Sequence, residues 1–321
     1  MPFARGPPGV WMETMNSNQS RISVVIPLYN HQHYIGAALE GVLGQTVPVH
    51  EIVIVDDGSR DQSAQVARDY AAGDARIVFW SKPNGGAHAA INDGIHRATG
   101  DLIAILNSDD IYHPDRFQRM LAPLQADPAL DVVMTGLDFI DGRGGALANT
   151  WYEEAVAFHR TSGDLGLTLV NGNIFMTTSN LLIRRRAFDE LGYFSALRYA
   201  HDLDFFLRVV GSGRTIHRVD APLLSYRQHD TNTISEGHLK VKVEWAAVVA
   251  HYLHRLWRAP DAAAVDWQRT LPMLDLLDRH TLTRPVLLFL NYFDRHPSRT
   301  LENHPFFTDV AFRQFMNSVV A

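Results

Sequence analysis

The chain contains no cysteine, which excludes a disulfide framework and any thiolate metal site. It also lacks an excess of positive charge: 29 Lys and Arg stand against 35 Asp and Glu, a net charge of −6. A surface built to hold nucleic acid needs clustered surplus cations, so nucleic acid is not an expected partner. No apolar run approaches the ~18 residues of a spanning helix. Residues 1–20 have neither a basic n-region nor an apolar h-region, so they read as a flexible leader rather than a signal peptide. Those absences are compatible with a cytoplasmic protein. Several motifs are missing too. Without Gly-x-Gly-x-x-Gly, Gly-Lys-Ser/Thr, His-Glu-x-x-His or Gly-x-Ser-x-Gly, the dinucleotide, NTPase, zinc-hydrolase and serine-hydrolase readings each lose support.

What remains is an ordinary globular composition, 46% hydrophobic and 20% charged over 321 residues, enough for one large or two modest domains. From Arg21 short apolar strands alternate with helices. Ile22-Ser23-Val24-Val25-Ile26 reads as a buried strand ended by Pro27, with further strands over 51–55, 76–80 and 101–106. Helices are expected over 31–43, 61–72 and 86–98, with another opening at Pro114 and a strand beginning at 131–134. Such alternation codes for a mainly parallel sheet covered on both faces. Beyond about residue 138 it breaks, and a hairpin turn is expected at Asp141-Gly142-Arg143-Gly144-Gly145. Residues 239–258 have the spacing of an amphipathic helix, with Trp245, Val248, Val249, Tyr252, Leu253 and Leu256 on one face. Packing on the catalytic domain or on a second protomer is the leading explanation of that face. Peripheral contact with a membrane is the other.

Five polar clusters, the first of them Pro27-Leu28-Tyr29-Asn30, fall at strand ends or helix starts, where an open α/β sheet binds its ligands, and a further polar stretch lies at 226–229. Asp56-Asp57-Gly58-Ser59 suits either a strand-ending turn or contacts to a nucleoside. Asn84-Gly85-Gly86 opens a helix bearing His88, Asn92 and Asp93, and helix N-termini favour phosphate. In Asn107-Ser108-Asp109-Asp110 two adjacent carboxylates repel one another, which a hard divalent cation such as Mn²⁺ or Mg²⁺ would resolve. His201-Asp202-Leu203-Asp204 precedes a helix. Asp204 is expected either to compensate the positive end of that helix or to pair with Arg208 one turn on, which leaves Asp202 as a candidate catalytic carboxylate. Arg227 and His229, in Tyr226-Arg227-Gln228-His229, suit a diphosphate or a metal.

Together with Val24-Val25-Ile26-Pro27-Leu28-Tyr29-Asn30, these clusters resemble the family 2 glycosyltransferases over roughly residues 21–235. The resemblance implies a GT-A type α/β fold: a mainly parallel central sheet with helices on both faces, plus a C-terminal helical extension. It divides the chain into a leader (1–20), a GT-A domain (21–238) and a C-terminal helical region (239–321). Within the domain, 21–138 would hold the nucleotide sugar and 139–238 the acceptor. It implies an inverting, metal-dependent transfer from a UDP- or dTDP-sugar to a saccharide or lipid-linked acceptor, in cell-surface polysaccharide or glycoconjugate synthesis. By the match, Pro27, Tyr29, Asp57, Asn84, Gly86, Asn92, Asn107, Ser108, Asp109 and Arg227 would bind the nucleotide sugar. Asp110 would lead the metal ligands, with Asp109 and His229, and Asp202 would be the general base.

Two departures stand out: Asn107 and His201 occupy positions where the family usually carries acidic residues. Acceptor contacts are expected from Thr177-Thr178-Ser179-Asn180 and Arg184. The competing reading is a sugar-nucleotide-binding partner or regulatory protein without catalysis.

Overall fold

The computed structural model describes residues 20–230, 238–258, 267–298 and 300–320. The expected leader at 1–19 lies outside the described residues. Every residue of β1 (Ile22–Leu28) is buried, as befits a central strand covered on both faces. On one side β1 pairs in parallel with β2 (Glu51–Asp56), and β2 pairs with β3 (Ile77–Ser81). On the other side β1 pairs in parallel with β4 (Leu102–Ile105). The chain therefore winds outward from β1 through α1 (Ile35–Leu43), α2 (Ser63–Gly73) and α3 (Ala87–Arg97), then crosses back to β4. That reversal opens a crevice between the carboxyl ends of β1 and β4. Close approach of α3 to the sheet depends on Gly94, where a Cβ would lie 2.2 Å from Val25 Cγ1.

Beyond β4 the connections lengthen and the sheet turns mixed. The elements are β5 (Ile111–Tyr112), α4 (Arg116–Ala126), β6 (Val132–Asp141), β7 (Ala146–Leu147), α5 (Thr150–Ser162), α6 (Leu165–Asn171), β8 (Leu182–Arg184), α7 (Ala187–Leu191), α8 (His201–Gly211) and β9 (Ile216–Gln228). The nine-stranded sheet has the order β3-β2-β1-β4-β8-β6-β9-β5, with β7 paired to β6 through the expected hairpin. β8 runs antiparallel to both β4 and β6. β9 lies parallel to β6 with register shifts around Gly136, and it delivers its last residues to the β1/β4 crevice. Pro114 lies in the turn before α4 rather than inside the helix, because the His113 carbonyl accepts hydrogen bonds from both Arg116 N and the Gln45 side chain.

Helices α9 (His238–Arg258), α10 (Trp267–Arg279), α11 (Thr283–Arg295) and α12 (Val310–Val320) complete the chain. The apolar face of α9 is used internally: Val248, Val249, Tyr252 and Leu253 are buried, while Trp245 and Leu256 are half-buried against the same core. One hydrophobic core runs from Ile22 to Met316, so the C-terminal helices share it with the sheet. Among the described residues no helix is long and apolar enough to cross a membrane.

Candidate active site

At the β1/β4 crevice the turn after β1 presents His31 and the turn after β4 presents Ser108 and Asp109. From the end of β9 comes His229, whose Nε2 lies 3.1 Å from Asp109 Oδ2. His31 Nδ1 is 2.8 Å from Ser108 Oγ, and its ring meets that of His229 edge-on with centroids 5.6 Å apart. His31, Asp109 and His229 each offer a ligand atom within 4.8 Å of the others. Burial pushes the Asp109 carboxyl up, but the two imidazoles outweigh it and hold the pKa below the ordinary range. Burial lowers the His31 pKa, against the pull of Asp109.

Asp110 points the other way. Its Oδ2 accepts from Ser179 Oγ at 2.6 Å and its Oδ1 from Arg227 N at 2.9 Å, and the residue is buried. Burial, reinforced by Asp109, raises its pKa well above the carboxylate range. The repulsion anticipated between the two carboxylates is thus relieved within the protein: one is driven towards its neutral form and the other is compensated by imidazoles. The expected leading metal ligand has protein donors on both oxygens, and the atoms that converge belong to Asp109, His229 and His31.

The segment expected to contact acceptor supports this loop instead. Thr177, Thr178, Ser179 and Asn180 are all buried. Asn107 donates through Nδ2 to Thr177 Oγ1 at 2.9 Å and accepts from Thr178 Oγ1 at 3.1 Å, so its amide uses both a donor and an acceptor within the protein. Beneath them the buried Arg116 guanidinium donates to Asn180 O at 2.8 Å and Thr135 Oγ1 at 2.6 Å. Arg184 is paired with Leu102 at the opposite end of β4, and its guanidinium binds the carbonyls of Leu124 and Leu130. It belongs to the end of the strands remote from the crevice, not to the site. Arg227 joins β9 to the crevice, with Nε on Asp109 O, Nη1 on Asp141 O and its guanidinium over the Tyr34 ring at 4.9 Å.

On the β1/β2 side, Tyr29 follows the buried Pro27 and Leu28 and is itself 41% exposed. Asp57 is buried and faces inward. Its oxygens accept from Gly85 N (2.9 Å) and Gly86 N (2.8 Å), and Lys82 Nζ lies 2.6 Å from Oδ1. Asn84 Nδ2 donates to Asp57 O at 3.0 Å. Asp57 thereby shapes the entry to α3, where Gly86 adopts φ of 90°, a left-handed conformation that glycine alone adopts without strain. Asn92 clasps the Phe194 backbone, donating to its carbonyl (2.9 Å) and accepting from its N–H (3.0 Å). The residues expected around a nucleoside thus divide into a scaffold (Asp57, Asn84, Asn92) and an exposed aromatic (Tyr29).

Asp202 is buried at the start of α8, with Oδ2 accepting from Asn173 Nδ2 at 2.7 Å and Oδ1 from Leu203 N at 2.7 Å. Burial raises its pKa to about 7. The preceding His201 is lowered to about 4 by burial, so at neutral pH it is an uncharged imidazole that places no charge beside Asp202. Asp204, as expected, pairs with Arg208 (3.0 Å, both buried), and Arg208 also binds the carbonyls of Leu191 and Tyr193. That network is structural, and breaking such a pair costs about 3–5 kcal/mol. From α9, Glu244 reaches back to accept from the backbone N–H groups of Arg198, Tyr199 and Ala200. Three neighbours of the two carboxylates escaped the sequence reading: His31, Asn173 and Glu244. His31 stood beside a named cluster and could have been flagged. The other two act only through contacts made by folding.

The model of the family described as "Glycosyl transferase family 2" matches residues 23–192, from β1 to just past α7. The chain is 30% identical over 250 residues to an uncharacterized glycosyltransferase of Rickettsia typhi, covering 75% of this chain and 74% of that one. An uncharacterized glycosyltransferase of Rickettsia felis is 31% identical over 73% of this chain, which spans 38% of that longer protein. Among solved structures, Staphylococcus aureus TarS 1–349 in complex with UDP-GlcNAc superposes with a TM-score of 0.57 at 19% identity, covering 85% of this chain and 83% of that one. That likeness shows the GT-A type fold expected from the sequence. The family match covers more than half the chain, including the strands and turns that present His31 and Asp109, and this chain belongs to glycosyl transferase family 2.

Proposed function

We propose that this glycosyltransferase moves a sugar from a nucleoside-diphosphate sugar to an acceptor hydroxyl in one inverting displacement, with Asp202 as general base. The observation that carries the reading is the meeting of Asp109 and His229 at the β1/β4 crevice, at the carboxyl end of the sheet. TarS has been crystallised with UDP-GlcNAc and with UDP, which supports a uridine nucleotide as the donor. Tyr29 offers a stacking face for the base.

The donor set fits a divalent cation. A separation of 3.1 Å between Asp109 Oδ2 and His229 Nε2 is that of neighbouring ligands on an octahedral ion with bonds of about 2.1 Å. When bound, Mn²⁺ or Mg²⁺ supplies positive charge to the diphosphate leaving group. Arg227 and Ser179 hold Asp110, which fixes the backbone from which Asp109 projects. Asp202, with a pKa of about 7, is ionised in a useful fraction at neutral pH yet basic enough to accept a proton. Asn173 and Leu203 N orient its two oxygens. As the acceptor oxygen bonds to the anomeric carbon, its proton passes to Asp202 and the bond from that carbon to the diphosphate oxygen breaks on the opposite face.

The test is a panel of UDP-, dTDP- and GDP-sugars with saccharide and lipid-linked acceptors, following nucleotide release with and without EDTA and the anomeric configuration of the product. Metal-dependent release from one donor with inversion is expected. Donor binding with no release under any acceptor would favour a non-catalytic binding role, and retention of configuration would remove the single displacement.

A further inference from the structure

The chain offers a cation more than one carboxylate and one imidazole. His31 leaves β1, Asp109 leaves β4 and His229 leaves β9, so three separate turns deliver one ligand atom each to a space no wider than 4.8 Å. Ser108 Oγ engages His31 Nδ1 at 2.8 Å, the kind of outer hydrogen bond that sets a ligating imidazole's tautomer and leaves the second ring nitrogen with its lone pair. The same turn supplies Asp109, so one short segment both provides a ligand and orients another. The His31 backbone is itself fixed, its N–H donating to Ser63 Oγ at 2.7 Å. His229 packs against the rings of His31 and Tyr34, with centroids 5.6 and 4.9 Å away.

Resting on the metal-dependent reading above, we propose that His31 is a third protein ligand and that the site selects a first-row transition ion over Mg²⁺. Two imidazoles and one carboxylate bind Mn²⁺, Co²⁺ or Zn²⁺ well, whereas Mg²⁺ favours oxygen and sheds water reluctantly. Three protein ligands also hold the ion without help from nucleotide. On a six-coordinate ion such as Mn²⁺, these three ligands would leave room for diphosphate oxygens and water. The cation is then resident before the donor arrives.

The experiment is a Mn²⁺ titration of the nucleotide-free protein, read by loss of the free-ion EPR signal, followed by competition with Mg²⁺. The expected result is one Mn²⁺ per chain, not displaced by a hundredfold excess of Mg²⁺. His31→Ala should weaken Mn²⁺ binding at least 10–100-fold, while His33→Ala, at an exposed neighbour, should not. His31→Asp guards against a folding defect. It returns a ligand and should restore binding while narrowing the preference over Mg²⁺. Unchanged Mn²⁺ affinity in His31→Ala, or displacement by equimolar Mg²⁺, overturns the proposal. Neither result touches sugar transfer, which is read separately by nucleotide release. Tight Mn²⁺ binding without turnover would instead count against the function proposed above.

Discussion

Asp109 and Asp202 are both carboxylates in sheltered positions, and their surroundings drive them apart. Asp109 lies between two imidazoles and is held ionised below the usual range. Asp202 has two dipolar donors, a neutral histidine before it and the carboxylate of Glu244 nearby, and burial lifts it to about 7. The first environment suits a permanent negative charge that holds a cation. The second suits a group that gains and loses a proton at working pH. Role therefore follows from neighbours rather than from residue type, and Asp110 makes the point again. Adjacent to Asp109 in sequence, it is capped on both oxygens and becomes part of the frame.

The sharpest way to break this comparison is to remove the proton acceptor alone. Asp202→Asn keeps the size and can still accept from Asn173, and its turnover should fall by about 10²–10⁴-fold. A rate within a few-fold of the parent would strip Asp202 of its role. A subtler attack moves its pKa. Transfer should rise with pH through about 7 in the parent, because the base must be deprotonated. Asn173→Ala removes a hydrogen bond to the ionised form, worth about 1.5–3 kcal/mol, and should push that limb up by about one unit or more. Glu244→Gln should move it the other way by a fraction of a unit, since the Glu244 charge raises Asp202. A pH–rate profile of each variant decides, and shifts of the same sign would contradict the electrostatic account.

The smallest effect is on stability. A carboxyl whose folded pKa lies above its unfolded value binds its proton more tightly in the native state. Its contribution is full below about pH 4 and lost as pH rises through about 7. Asp202→Asn should therefore raise the melting temperature by a few degrees at pH 8 and by little at pH 4, with ~1 kcal/mol corresponding to about 2–4 °C. Equal shifts at both pH values would mean that the gain does not come from the buried charge.

The order and type of the first elements were legible because each strand is a local apolar run and each helix a local periodicity. β1, β2, β4 and the turns after them fall within a residue or two of their expected places. Which polar residues face a ligand was less legible. Asp57 and Asn92 sit at the expected strand end and helix, yet their side chains are consumed by Gly85, Gly86 and Phe194, partners 28 to 102 positions away. Glu244 lies in a helix whose apolar stripe predicted packing, but its grip on the turn before Asp202 depends on a long-range docking that no local pattern encodes. Arg184 misled because the strand carrying it runs antiparallel, which places it at the wrong end of the sheet.

The division of labour between the two carboxylates is tested most directly by measuring nucleotide-sugar affinity in the presence of Mn²⁺ for Asp109→Asn and Asp202→Asn side by side. The account predicts that Asp202→Asn binds the donor as the parent does, while Asp109→Asn loses the metal-dependent part of that affinity. Equal loss in both variants, or retention of metal-dependent binding without Asp109, would contradict it.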